Sequence, residues 1–342
     1  MACRPSLYAL SRLSFIPNAR PFTSTHLPRQ KSASRQRLYA LLGLSLSLPA
    51  GYYFFQPSLS LSPSAYSDQK LKSSKSLTPF HKLVTIKIPS SSYGFFDKPY
   101  RLDGEVADVE GGEVVIQHVM VKSPDIQIER PYTLINDPTI TNGEREMRMV
   151  VKRVQGGEVG RVVHTTKEGE ILGVRGPIPT FSIYPQRYDK IIMISTGTAV
   201  SPFLQLLAKL SPSNAPRLEL IQALPALSSR TPAFSQGSLD RAEPIGWDWV
   251  DTNEDPSFLP SLKKKFGEKL KITRFSQGPV PAGAIQAALE GVNTERVLVL
   301  VCLPPWLMRP LCGGMTRNLD QGPVTGVLKE LGLGSKQVYK LE

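Results

Sequence analysis

Cysteine is scarce in this chain. Only Cys3, Cys302 and Cys312 occur in 342 residues. That spacing builds neither a disulfide framework nor a C-x-x-C pair. The four histidines, His26, His81, His118 and His164, show no metal-ligand spacing, so no metal site is expected. No nucleophile motif and no pair of carboxylates stands out, which turns the reading away from hydrolytic chemistry. Acidic residues are missing from the start of the chain, where nothing before Asp68 is Asp or Glu.

The formal net charge of +12 suggests at first an anionic partner. Its distribution says otherwise. Seven of those charges, Arg4, Arg12, Arg20, Arg29, Lys31, Arg35 and Arg37, lie in the acid-free leader. The remainder is only mildly basic. Outside the leader there is no zinc finger, no aromatic-basic RNA motif and no basic helix, so nucleic acid is not an expected partner.

Residues 1–37, rich in Arg and Ser, have the composition of a mitochondrial transit leader. Leu38–Phe55 then runs without a charge, just long enough to span a bilayer once. Tyr52, Tyr53, Phe54 and Phe55 close it like an interfacial aromatic belt. Arg35 and Arg37 flank its N-terminal side, so the expected orientation puts the positive end in the matrix and all that follows in the intermembrane space. Residues 56–78, rich in Ser, Pro and Lys, read as a linker.

From there the hydrophobic period is that of strands, at Leu83–Ile88, Val114–Val121, Glu146–Val154 and Gly169–Arg175. Short strands separated by Gly and Pro predict an antiparallel barrel over residues 79–185. Past Tyr188 the pattern changes. Apolar runs at Ile191–Ile194, Leu218–Leu224, Leu270–Phe275 and Val297–Val301 accompany the helical Phe203–Leu210. Strands alternating with helices predict a parallel sheet over residues 186–342. Residues 226–262 read as a loop-rich insertion.

Three stretches carry chemistry. In Arg130-Pro131-Tyr132-Thr133 a planar cationic fork suits a phosphate, a phenol ring suits stacking on a flat heterocycle, and a hydroxyl can bond a ring nitrogen. By itself this is also an ordinary strand end. Gln155–Thr165, with Gly157, Val159 and Gly160, serves equally as a backbone anion cradle opening a helix or as a hairpin loop. Ile194–Pro202, between an apolar run and a helix, is a small-residue turn that lets a nucleotide approach the backbone, although it is not G-x-G-x-x-G.

Taken in order, these motifs resemble the ferredoxin-reductase superfamily, in particular its NADH–cytochrome b5 reductase branch. Arg130, Tyr132 and Thr133 match the family's Arg-x-Tyr-Ser/Thr signature, and Arg175-Gly-Pro177 matches the close of its barrel. The resemblance implies a six-stranded Greek-key FAD-binding barrel followed by a parallel-sheet nucleotide-binding domain. Arg130 with Pro131 would hold the FAD pyrophosphate, while Tyr132 and Thr133 would hold the flavin ring. Val151, Lys152 and Val154 would add flavin contacts, and Gly157, Val159 and Gly160 backbone donors for the pyrophosphate. Gly160 stands where the family has Ser or Thr.

For NADH or NADPH the resemblance implies Gly197, Thr198 and Pro202, together with Cys302, Pro304 and Pro305. Cys302 would lie near the nicotinamide. Ala199 and Leu303 replace two family glycines, so the expectation is a nicotinamide site that is weakened, altered or lost. Leader, single span and Asp320–Gly332 are similar to a fungal inner-membrane group of this family. That group assists cytochrome c import and haem attachment, which implies a haem or haem-protein acceptor such as cytochrome c or haem lyase. A generic cytochrome b5 reductase and a non-catalytic flavin-binding assembly factor are the alternatives.

Overall fold

Two sheets organise the chain. The computed structural model describes residues 60–97, 112–123, 127–140, 144–223, 248–252, 255–275 and 279–341. The leader, the candidate span 38–55 and much of the 226–262 insertion lie outside the described residues. Among the described residues no helix is long and apolar enough to cross a membrane.

The first sheet contains β1 (Ser67–Ser76), β2 (His81–Lys87), β3 (Val114–Lys122), β4 (Glu129–Thr133), β5 (Glu146–Lys152) and β6 (Ile171–Ile183), in the order β4-β3-β6-β1-β2-β5. Every pairing is antiparallel. The chain just past β4 joins the two edges: the Ile135 N–H donates to Arg148 O at 2.8 Å, and the Asn136 side chain bonds Glu146 O and the Arg148 N–H, each at 2.9 Å. The sheet thus curls into a barrel around Val84, Ile86, Val119, Met147, Met149 and Val174.

Here the structure corrects the linker reading, since β1 falls inside residues 56–78. Its inward positions are Ser67, Gln69 and Leu71, all buried. The Gln69 side chain donates to Ser67 Oγ at 2.9 Å. Two of three inward residues being polar, the strand shows no hydropathic alternation.

The second sheet is parallel throughout. It comprises β7 (Lys190–Ser195), β8 (Arg217–Ala223), β9 (Leu270–Phe275), β10 (Val297–Cys302) and β11 (Val338–Leu341), in the order β11-β10-β7-β8-β9. Ile191–Ile194 and Val297–Val301 are buried on both faces, as a helix-covered sheet requires. Helices α2 (Ser201–Lys209), α3 (Leu259–Phe266), α4 (Ala282–Leu289) and α5 (Pro305–Cys312) belong to this half, whereas α1 (Glu158–Thr165) follows β5 in the barrel half.

One apolar core runs from the barrel residues Leu83, Ile116 and Phe181 into Phe203, Leu207 and Trp249 of the α/β half. Polar groups fix that junction. Arg148 donates to Asp255 at 2.9 Å, the buried Gln205 accepts from the Gln117 N–H at 2.7 Å, and Lys209 donates to Val115 O at 2.7 Å.

Candidate cofactor cleft

Where the halves meet lies a cleft of about 910 Å³. Strand β4 supplies its first wall. Arg130 and Pro131 are exposed, and Tyr132 and Thr133 are half-buried. Tyr132 packs on the barrel core, and burial pushes its phenol up to about 12, with Arg130 pulling the other way. Arg130 steadies itself by donating to Glu129 O at 2.9 Å. All four residues of the tetrapeptide line the cleft.

Strand register places His118 of β3 opposite Thr133. His118 also lines the cleft and shares a 2.9 Å hydrogen bond with Thr180 through Nδ1. Burial, with Arg175 adding to it, lowers its pKa to about 4, so the ring is neutral at neutral pH. The sequence reading gave His118 no role. The motif that it complements is brought beside it only by strand pairing.

The glycine-rich stretch opens α1. Gly157 is its N-cap and offers no side-chain cap, so the first N–H groups of the helix are free of one where a phosphate could be held. A side chain at Gly160 would put its Cβ 3.0 Å from Lys152 O. The hydroxyl residue of the family pattern would need Lys152 O to give by a few tenths of an ångström. The other end of α1 is held by Lys82 of β2. Its ammonium donates to His164 O at 2.8 Å and Thr166 O at 3.0 Å, next to Val163 O at 3.4 Å. Gly157, Val159 and Gly160 line the cleft, as do Lys152 and Val154. Val151 does not. Its side chain is fully buried in the barrel core, since alternation along β5 turns Met147, Met149 and Val151 inward.

The opposite wall belongs to the parallel sheet. Strand β7 has β10 on one side and β8 on the other. Chain order reverses there, which is where open α/β sheets place ligands. A second hollow of about 360 Å³ opens at this point, lined by Thr196, Gly197, Cys302, Pro304 and Pro305. It shares Lys152, Thr198, Ala199, Cys302 and Leu341 with the larger cleft, while Pro202 lines the larger cleft alone.

Leu303 also lines this hollow, where the family pattern has glycine. It is only 5% exposed and packs with Leu307 and Leu311 in the core beneath. Ala199 does border the space. Ser229 and Arg230, which the sequence offers a few residues past Leu218–Leu224 as candidates to grip an NADPH 2′-phosphate, lie outside the described residues. Cys302 is half-buried, whereas Cys312 is buried and its thiol is pushed up to about 11. Among the described residues no group of three His, Cys, Asp or Glu side chains could hold a metal ion.

Residues 100–183 match the oxidoreductase FAD-binding domain family. Among curated proteins, NADH-cytochrome b5 reductase 2 of Ajellomyces capsulatus is 24% identical over 315 residues, 90% of this chain and 92% of that protein. The protein of the same name from Yarrowia lipolytica is 26% identical over 276 residues, 80% and 84% of the two chains. Among solved structures, the cytochrome b5 reductase domain of Ulva prolifera nitrate reductase shares the fold, with a TM-score of 0.53 at 16% identity over 82% of this chain and 99% of that one. The six-stranded antiparallel barrel, part of which matches an oxidoreductase FAD-binding domain, and the five-stranded parallel sheet joined to it together have the fold of that reductase domain.

Proposed function

We propose that this protein is an FAD-dependent oxidoreductase that takes electrons from NADH or NADPH and passes them to a haem protein. The observation that carries the reading is the meeting of two hollows at Thr198, Ala199 and Cys302. One is sized and lined for a flavin dinucleotide and the other adjoins it at the switch point of the parallel sheet.

The residues present fit FAD. Arg130 offers a cationic fork and α1 its N-terminal amides, both suited to a pyrophosphate. Tyr132 offers a ring face, and Thr133 and His118 offer hydrogen-bonding groups. Bound there, FAD would accept a hydride and release electrons singly. The chain's own part is positional. Tyr132 and Thr133 orient the ring, and the apolar surroundings that keep His118 neutral exclude water beside it. Cys302, at the end of β10, borders both hollows, which suits the place near the nicotinamide that the family resemblance gives it.

The curated relatives named for cytochrome b5 favour a haem-protein acceptor. The leader 1–37 and span 38–55 favour a finer reading. In it the protein is anchored in the mitochondrial inner membrane with both domains in the intermembrane space, where it supports haem attachment to cytochrome c.

The test is the visible spectrum of the purified full chain before and after anaerobic addition of NADH, then NADPH. A flavin spectrum that bleaches is expected. A yellow protein that does not bleach would favour a non-catalytic flavin-binding factor, and a colourless one that added FAD does not restore would sink the proposal. Import into isolated mitochondria followed by protease protection tests the location.

A further inference from the structure

We propose that Leu319 is an FAD-contacting wall residue of the larger cleft, presented there by a clasped loop of the parallel-sheet half. The inference rests on the flavoprotein reading above.

Between α5 and helix α6 (Gly326–Glu330), residues 313–325 form no helix or strand. At Leu319 the backbone turns left-handed, with φ at +65°, alone among the described non-glycine residues. That conformation is strained for an L-residue, and leucine lacks the short polar side chain that eases it in Asn or Asp. Packing within the chain does not offset the cost, because the side chain is 60% exposed. A strained, exposed leucine is a poor choice for folding alone. An outlier of this kind points to use of the side chain at a site.

That site is the 910 Å³ cleft, where Leu319 shares the lining with Arg130, Tyr132 and Gly157. Leu319 is not part of the lining of the 360 Å³ hollow. It therefore faces the ligand that the barrel holds rather than the nicotinamide nucleotide.

The loop is held in shape from several sides. The Leu319 N–H donates to Thr316 O and the Thr316 N–H to Asp320 O, both at 3.0 Å, and the Asp320 N–H donates to Thr316 Oγ1 at 3.1 Å. The Gln321 amide accepts from the Lys340 N–H at 2.9 Å and donates to Lys340 O at 2.8 Å, tying the loop to β11. The Lys340 ammonium, itself buried, donates to Gly314 O, Gly322 O and Pro323 O at 2.8–3.0 Å. At the root of the loop a Cβ on Gly326 would lie 2.1 Å from Pro310 O. The scaffold thus imposes the backbone at Leu319.

Burying a leucine against an apolar ring face is worth about 1.5–3 kcal/mol, which corresponds to a tenfold or greater gain in affinity. FAD offers two such faces, its flavin and its adenine. The parallel-sheet half thereby helps to retain the cofactor of the barrel.

The experiment titrates flavin-free full-length protein with FAD, following flavin fluorescence, and records the thermal midpoint of each variant without FAD. Leu319→Gly relieves the strain, so its midpoint does not fall, while its Kd for FAD rises about tenfold. Leu319→Asn, tolerant of the left-handed backbone but polar, behaves the same way. Leu319→Met stays within about twofold of wild type. An unchanged Kd in Leu319→Gly would overturn the proposal, and so would a weakened Kd accompanied by a lower midpoint, which marks a merely structural residue. A wild-type protein that binds no FAD would instead bring down the flavoprotein reading, and this inference with it.

Discussion

The two walls of the cleft are built on opposite principles. The barrel wall is an edge strand, with Arg130 and Pro131 in solvent and Tyr132 and Thr133 half-buried. Arg130 and Pro131 stand clear of the core, and the fold does not depend on them, while Tyr132 packs against it from the cleft side. The α/β wall is a set of strand ends, and functional positions alternate with core ones. Ala199 borders the cleft and Val200 is fully buried; Cys302 borders it and Leu303 packs beneath. The difference teaches that substitutions separate binding from stability on the first wall and couple them on the second.

Leu303→Gly tests the second half of that contrast and has the largest expected effect. Removing a buried leucine side chain and adding backbone freedom costs about 3–5 kcal/mol. Denaturant unfolding should show that loss, while KM for NADH stays within about twofold. A clear gain in nicotinamide affinity at little cost in stability would show that the side chain obstructs the hollow after all.

His118 tests the barrel wall from inside. Its pKa in the fold is about 4, against an ordinary value near 6.5 in the unfolded chain. Between those values the unfolded chain binds the extra proton, so stability is fully present above about pH 6.5 and falls as pH drops toward about 4. The loss is on the order of 3 kcal/mol. Unfolding free energies measured across that range should decline less steeply in His118→Gln. Burial also lowers the pKa of His164, so part of the decline remains. An identical slope in the variant would show that His118 does not carry it.

Arg130→Ala is the cleanest probe of the first wall. Loss of a charge-assisted contact to phosphate costs about 1.5–3 kcal/mol, or roughly tenfold to a hundredfold in FAD affinity. Because Arg130 is exposed, stability without FAD should stay within about 0.5 kcal/mol. A large drop in stability would break the contrast between the walls.

How much of this could be read from residues alone follows the same divide. The tetrapeptide Arg130–Thr133 was legible because its chemistry sits on consecutive side chains of one strand. Strand β7 was legible because Ile191–Ile194 is apolar on both faces, and α2 because its helical period is strong. Strand β1 was not, because Ser67 and Gln69 satisfy each other inside the barrel and leave no alternation to see. His118 was hidden because only register brings it to Thr133. Val151 was placed in the cleft by proximity to a motif, but the direction of its side chain depends on the pleat of β5, which is not written in the motif. Leu319 gave no signal, because a left-handed backbone shows in sequence only when glycine or asparagine fills it.

The smallest expected effect is at Ala199, and it cuts closest to the contrast. Ala199 stands where the family pattern has glycine and borders both hollows. Its backbone sits in the turn Gly197–Val200, with its N–H donating to Thr196 O at 3.0 Å. Leu319 being the only described non-glycine residue at positive φ, alanine is unstrained here. Glycine would therefore bring only a closer approach, the removal of one methyl group from the mouth of the hollow. A Gly in place of Ala costs about 0.5–1 kcal/mol of stability. Ala199→Gly should therefore lower the thermal midpoint slightly and lower KM for NADH or NADPH about threefold, with kcat unchanged, since uniform binding changes KM alone. A rise in KM would mean that the methyl group is a contact the nucleotide uses. The wall would then have been rebuilt around alanine rather than narrowed by it.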